Sequence, residues 1–216
     1  MPRGKKVGRV RDKWRDKKWV VVNTPASFRS QPVAYIPVTE DGRAVGRIIE
    51  YTLFDLDKSD PEQHTIKLYF QVEKIDGDRA STRFKGHELA KEFLRSLIRR
   101  GSSIVNDIGD YTTTDGYKFR ISTVAFTQRR VNSSKKHMIR EIIRNVLNEE
   151  LPKLNIDQFV QAVVYRQIDA TLHSRAKRII GIKRIAVRKT KLLSAPGMSM
   201  AQAVPVEASQ QGLASE

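Results

Sequence analysis

The sequence predicts an α+β fold, with antiparallel strands flanked by amphipathic helices, a basic N-terminal arm and a disordered C-terminal tail. Three observations carry that expectation. Two Asp-Gly pairs, Asp76-Gly77 and Asp115-Gly116, separate alternating stretches, and glycine accepts the positive φ that a tight hairpin needs. After the second pair, Tyr117, Phe119, Ile121, Thr123 and Ala125 fall on one face, while Lys118, Arg120 and Ser122 fall on the other, closed by Val124 and Phe126. Such alternation describes a strand with one packed and one wet face. Two other stretches, Glu88 to Arg100 and Ser134 to Glu150, repeat their apolar residues at helical spacing instead.

Taken in order, residues 1–18 hold nine basic residues: Arg3, Lys5, Lys6, Arg9, Arg11, Lys13, Arg15, Lys17 and Lys18. Too few apolar residues accompany them to order the segment alone, so it reads as an RNA-seeking arm. Trp14 and Trp19 either stack on bases or anchor this arm. Anchoring is the expectation, because Trp19 leads into Val20-Val21-Val22, a buried strand by composition.

A single domain is expected over residues 19–193. Asn23 to Pro37 holds three prolines and reads as a loop. Arg47 to Leu56 alternates and reads as a strand. Ile66, Leu68, Phe70 and Val72 share one face of a third strand, and Asp76-Gly77 turns it back through Arg79 to Phe84. Leu89, Ala90, Phe93, Leu94, Leu97 and Ile98 predict a helix over 88–100, stopped by Gly101. Ile104 to Tyr111 is again a strand. In the helix over 134–150, Met138, Ile139, Ile142, Ile143, Val146 and Leu147 point inward. Asn155 and Gln158 form a capping box for a third helix, with Leu154 stapled onto Phe159. Ile168, Leu172, Ala176 and Ile179 predict a short fourth helix, and Ile182 to Val187 a last strand. From residue 194 to 216 there is no basic residue and no periodicity, so a disordered tail is expected.

Composition narrows the function. The chain of 216 residues carries forty Lys plus Arg against twenty-four Asp plus Glu, a formal charge of +16. Such a protein repels itself unless a polyanion neutralises it; nucleic acid is the commonest one, and an anionic membrane surface the rival. The absence of cysteine excludes disulfides, thiolate nucleophiles and Cys-ligated zinc, and fits a reducing compartment. No run approaches the roughly 20 apolar residues of a membrane span, and no apolar core follows the basic N-terminus as in a signal peptide. A cytoplasmic chain is expected.

Signals for catalysis are weak. His64, His87, His137 and His173 lie far apart, and no phosphate-cradling glycine loop is present. His87-Glu88 reads as a capping or surface feature at a helix start, and Asp107 and Asp110 as the polar edge of a strand. No catalytic residue, metal ligand or cofactor is expected. Binding signals are spread over three basic clusters instead. They are the arm, the run from Arg129 and Arg130 through Lys135 and Lys136 to Arg144, and the run from Arg175 to Lys191. The last holds Arg175, Lys177, Arg178, Lys183, Arg184, Arg188, Lys189 and Lys191 with no acid between them. With Lys118 and Arg120 on the hairpin, these are the candidate RNA-binding residues. They suit phosphates, which give affinity and salt dependence but little sequence reading.

Several runs resemble one family: D-K-W-R-D-K-K-W, R-I-I-E-Y-T-L-F-D-L, the F-K-G-H-E-L expected to open a helix, and T-T-D-G-Y-K-F-R with F-T-Q-R-R after it. It is the archaeal and eukaryotic small-subunit ribosomal protein family called S-three-a-e, or eukaryotic-type S-one. The similarity runs from about Lys13 to Leu193, and the short, non-basic tail is similar to the archaeal type. The resemblance implies a β-barrel-like sheet flanked by helices, with no catalytic residues. It also implies a place on the platform of the small subunit, near the mRNA exit and the 3′ end of the small-subunit rRNA. Small-subunit rRNA and neighbouring ribosomal proteins are the implied partners, with mRNA a further contact near the exit; neither a membrane nor a second copy of the chain is expected. The alternative class is an RNA-binding module or RNA-processing enzyme outside the ribosome.

Overall fold

The alternations and helical repeats build eight strands and six helices in a computed structural model that describes residues 14–58 and 60–196. Arg3, Lys5, Lys6, Arg9, Arg11 and Lys13 of the arm, and residues 197–216 of the tail, lie outside the described residues. The chain forms β1 (Lys18–Asn23), β2 (Pro32–Val38), α1 (Asp41–Ala44), β3 (Ile48–Thr52), α2 (Leu53–Asp57), β4 (Ile66–Asp76) and β5 (Arg79–Leu89). Then follow α3 (Lys91–Leu97), β6 (Ile104–Thr112), β7 (Lys118–Thr127), α4 (Ser133–Glu150), α5 (Ile156–Val164), α6 (Gln167–Ala176) and β8 (Ile182–Ser194).

All eight strands join one sheet. Its main path runs β2-β1-β5-β8-β7-β6, and β4, with β3 beyond it, lies along β5 as well. Every pairing is antiparallel except β1 with β5. The barrel-like closure implied by the resemblance is not present. β5 changes neighbours along its length: residues 79–81 lie beside β1, whereas Glu88 pairs with Lys189 of β8. The sheet therefore forks at β5, and β2, β3 and β6 each keep a single partner.

Gly86 makes the crossing of β5 and β8 feasible. Its φ is +153°, and a Cβ there would sit 2.1 Å from the Thr190 carbonyl oxygen. The β4 register also shifts here: Tyr69 pairs with Gly86 and Phe70 with Phe84, so Lys85 is the extra residue of a bulge. Three further register shifts let the thirteen-residue β8 follow β7 along its whole length, from Lys118↔Ser194 to Thr127↔Ile182.

The faces of β7 fall as its alternation requires. Phe119, Ile121, Thr123 and Ala125 are buried, Lys118 and Arg120 exposed, and Val124 and Phe126 buried on the second face. α4, α5 and α6 bury Ile139, Ile143, Val146, Phe159, Val160, Ile168 and Leu172 in the same core. Phe159 stacks on Phe119 with ring centroids 4.5 Å apart. The hairpin turn also positions α5, because Asp115 Oδ2 accepts the Ile156 N–H at 2.8 Å. The Asn155 N–H donates to Gln158 Oε1 at 3.3 Å, as the capping box requires. A second, smaller core holds Val20, Val22, Val38, Ala44, Val72 and Ala80 under the β1–β2 end of the sheet.

Several expectations are corrected. The proline-rich stretch 23–37 contains β2: Pro32 and Pro37 are tolerated because β2 is an edge strand that lacks a second ladder. The strand expected over 47–56 stops at Thr52, whose Oγ1 accepts the Asp55 N–H and opens α2. The helix expected from Glu88 begins only at Lys91. F-K-G-H-E-L is strand, because Leu68↔His87, Lys67↔Glu88 and Ile66↔Leu89 continue the β4–β5 ladder. β8 runs seven residues past Val187, to Ser194, and Ala195 packs against the core. Met138, expected inward, is half exposed, and so are Trp14 and Trp19, so neither indole is an anchor.

Two substitutions test this account of packing. Gly86→Ala forces a Cβ into the β8 backbone and is expected to cost about 3 kcal/mol or more. Gly42→Ala, with nothing within 4 Å of the new methyl, should leave stability unchanged or raise it by about 0.5 kcal/mol. Denaturant midpoints of both variants check the contrast. Equal losses would show that the crossing is not closely packed. Ile121→Asp, which places a charge in the main core, should abolish cooperative unfolding, while Arg120→Ala should melt close to the parent.

Candidate nucleic-acid interface

The outward face of the large sheet half is assembled from β5, β8, β7 and β6. Register places Lys118 beside Thr112 and Ser194, Arg120 between Asp110 and Lys191, and Ser122 between Ile108 and Lys189. Internal carboxylates decide which of these cations are free. Asp110 takes both sides of the Arg120 guanidinium, with Nε–Oδ1 at 2.7 Å and Nη2–Oδ2 at 2.9 Å. Arg120 beside it holds the Asp110 carboxyl below its usual range. Glu88 takes Lys189 at 2.7 Å. Lys118 and Lys191 have no carboxylate partner among the described residues.

Two cations that sequence reasoning missed join Lys191. Lys85 is the bulged residue of β5, and its pKa is held below the ordinary lysine value by partial burial, then by Arg83 and Lys191 close by. Arg83 is fixed by Gln71, whose Oε1 accepts from Nε at 3.2 Å and Nη2 at 2.9 Å. Gln71 is neutral, so it orients the guanidinium without cancelling its charge. The only sequence signal for this group was Gly86, which marks a bulge or a close approach in a strand.

The remaining candidates separate in the same way. Lys18 pairs with Asp41 at 2.8 Å, Arg175 with Glu149 at 2.7 Å, and Arg184 with Glu62 at 3.2 Å. Arg184 also lies over the Phe93 ring, 4.8 Å from its centroid, and Lys183 Nζ donates to the Leu97 carbonyl at 3.4 Å. Lys17 Nζ sits 3.4 Å over the Trp14 ring. Arg15, Arg129, Arg130, Lys135, Lys177 and Arg178 are exposed, with Lys136 and Arg188 half-buried. Lys135 and Lys136 occupy the first turn of α4, which contains no acid. Cations are unfavourable there because the helix dipole is already positive at that end. Arg129, Arg130, Lys135 and Lys136 therefore concentrate positive field between β7 and α4. Sequence proximity groups Arg175, Arg178 and Lys189 into one run; the fold separates them, placing the first two on or just past α6 and the third on the sheet.

His87 and Asp107, weighed above for chemistry, are structural. His87 is fully buried where β5 crosses β8. Its Nε2 lies 3.3 Å from the Val187 carbonyl, which can only accept, so Nε2 carries the proton. Nδ1 then accepts the Thr190 hydroxyl at 2.8 Å, and Thr190 Oγ1 accepts the His87 N–H at 3.0 Å. Burial lowers the His87 pKa to about 4. Asp169 of α6 accepts the Val187 N–H at 2.9 Å, and burial raises its pKa to about 7 against the opposing pull of that bond and of Arg166 and Arg184. Asp107, also buried, receives Arg144 Nη2 at 2.8 Å. Among the described residues no group of three or more His, Asp and Glu side chains is arranged to hold a metal, and no helix is long and apolar enough to cross a membrane.

A forked, mostly antiparallel sheet packed against helices, with Lys118 and Lys191 outside any ion pair among the described residues, defines a basic α+β protein. The chain belongs to the Ribosomal S3Ae family, whose profile matches residues 5–196. It is 42% identical over 187 residues to the small ribosomal subunit protein eS1 of Desulfurococcus amylolyticus, covering 87% of each chain. It is 39% identical over 209 residues to that of Archaeoglobus fulgidus, covering 96% of this chain and 99% of the relative. The Sulfurisphaera tokodaii protein of the same name is 39% identical over 187 residues, 87% of this chain and 96% of the relative.

The buried pair predicts a specific pH response. His87 is depressed from 6.5 to about 4, so the unfolded chain takes up the proton first and stability is lost as pH falls through that window. Asp169 is raised from 3.8 to about 7, so the folded chain takes up the proton first and stability is gained as pH falls. The two slopes oppose each other from about pH 6.5 down to 5, above the range where surface carboxylates titrate. The parent should therefore show nearly flat stability there. Asp169→Asn should expose the His87 slope, with stability falling on acidification, and His87→Gln the reverse. Denaturant titrations at several pH values read the sign directly; slopes of the same sign in both variants would remove the pair from the account.

Proposed function

We propose that this chain is a structural constituent of the small ribosomal subunit that binds small-subunit rRNA through phosphate contacts. The observation that carries the reading is membership of the Ribosomal S3Ae family across residues 5–196. Its relatives bear the name small ribosomal subunit protein eS1. A charge of +16 supports it from physics, since rRNA is the polyanion that such a chain needs for neutralisation. The position is on the subunit platform near the mRNA exit, in the cytoplasm, with neighbouring ribosomal proteins and mRNA within reach. The role is binding and architectural rather than catalytic, and no cofactor or second copy of the chain enters it.

Within this function the chain divides into an arm that ends where β1 begins at Lys18, a domain that closes with β8 and Ala195, and a tail over 197–216. The arm contributes phosphate contacts, which order it against RNA at an entropic cost. Cations without a carboxylate partner among the described residues form the first rank of contacts on the domain: Lys118, Lys191, Lys85 and Arg83 on the sheet, and Arg129, Arg130, Lys135 and Lys136 just before and at the start of α4. Arg120, Lys189, Arg175 and Arg184 must first exchange a carboxylate for a phosphate, so each adds less.

Co-sedimentation with small subunits after a salt wash tests the assignment, and its absence would refute it. Salt titrations of a small-subunit rRNA fragment test the residue ranking. Lys191→Ala should weaken binding and lower the salt slope by about one, while Arg120→Ala should change it less and Asp110→Asn should strengthen binding. Deleting residues 1–17 should leave melting unchanged and flatten the salt slope. Deleting 197–216 should change neither. Greater loss from the tail deletion than from the arm deletion would invert this map.

A further inference from the structure

The small sheet half presents a different outward surface from the large one. On β1 the inward positions Val20 and Val22 are buried, so Trp19 and Val21 face out. Register brings Pro37 opposite Trp19 and Tyr35 opposite Val21, and Arg79 of β5 lies beside Val21 on the other side. Trp19 is 59% exposed and Tyr35 68% exposed. Neither ring contacts another ring, and the Tyr35 hydroxyl has no hydrogen-bond partner among the described residues. As diagonal neighbours across an antiparallel pair, the two positions stand roughly 7–8 Å apart, within reach of large aromatic side chains. Each exposed ring offers a face on which a planar group can stack.

Charge identifies the planar group. Lys17 and Lys18 precede Trp19 and continue the basic arm, and Arg79 flanks the face on its far side. Asp76 pairs in register with Arg79, but no ion pair forms between them. Lys18 is held by Asp41 at 2.8 Å. Exposed aromatics interleaved with cations on a rigid sheet bind unpaired bases by stacking, while cations follow the backbone. We infer that the outward face of β1 and β2 is a stacking platform for single-stranded RNA, with Trp19 and Tyr35 holding one or more bases. The inference rests on the proposed function only in taking RNA as the partner. It adds a mode of binding that the phosphate contacts of the larger sheet do not supply.

The test uses the full chain carrying Trp14→Phe, which leaves Trp19 as the single indole. At one fixed salt concentration, a short oligoadenylate should quench Trp19 emission. Tyr35→Ala should weaken oligoadenylate binding about tenfold, yet change affinity for a duplex hairpin of equal charge less than about twofold. Tyr35→Phe should retain the affinity, and melting curves of both variants should match the parent because residue 35 points outward. Absence of quenching, or equal losses on the two RNAs, would overturn the platform. So would Tyr35→Ala binding oligoadenylate normally while failing to enter small subunits, which would make this face a protein contact. If the parent chain fails to sediment with small subunits, the ribosomal assignment falls while the oligoadenylate result stands by itself.

Discussion

β5 and β8 approach so closely that only a residue without a Cβ fits between them, and the rest of the sheet depends on that approach. A methyl group on Gly86 would meet the Thr190 carbonyl at 2.1 Å. Direct ladder pairing between the two strands is limited to Glu88 and Lys189. What fixes the crossing is therefore side-chain chemistry: His87 and Thr190 satisfy each other's polar groups, and His87 reaches on to Val187. Burial without pairing would cost each of these groups more than its hydrogen bond contributes. The closed set admits one register, and through β8 it locates β7 and β6. On its far side Val187 donates to Asp169, so α6 is placed by the same short stretch of β8.

Forking at β5 gives the molecule two outward faces with different chemistry. The large half covers its inner face with α4, α5 and α6 and leaves Lys118, Lys191, Lys85 and Arg83 outside. The small half has its own core and leaves Trp19, Tyr35 and Pro37 outside. A closed barrel would have brought these edges together and merged the two faces. Because the sheet stays open, cationic and aromatic surfaces remain side by side on one rigid support.

Carboxylates on this protein act mainly as selectors among cations. Exposed ion pairs such as Arg120–Asp110 and Arg175–Glu149 contribute little to stability. They do set which basic residues have an unsatisfied charge. Lys85 shows the opposite arrangement: partial burial and two neighbouring cations press on its charge, and among the described residues no acid relieves it. A phosphate placed there gains more than one placed over an already paired arginine.

Local signals in the sequence determined much of this. The alternation in β4, β6 and β7, the Asp-Gly turns, the Asn155 cap and the inward stripe of α4 all depend on residues within a few positions of one another. Family membership was legible too, from runs such as R-I-I-E-Y-T-L-F-D-L and T-T-D-G-Y-K-F-R. Ladder competition was not legible. Leu89, Ala90 and Phe93 have helical spacing, yet strand pairing with Ile66 to Leu68 claims the chain up to Leu89, and no local pattern announces a partner some twenty residues away. The same holds for β2, where prolines argue against a strand unless it lies at an edge. Among the candidate contacts, the sequence supplied the basic clusters but could not say which cations meet a carboxylate, because Asp110, Glu88, Glu62 and Glu149 reach theirs across strands and helices. Lys85 joins Lys191 only because a bulge and a glycine bring β5 against β8. Charge is a property of the chain, whereas its neutralisation is a property of the fold.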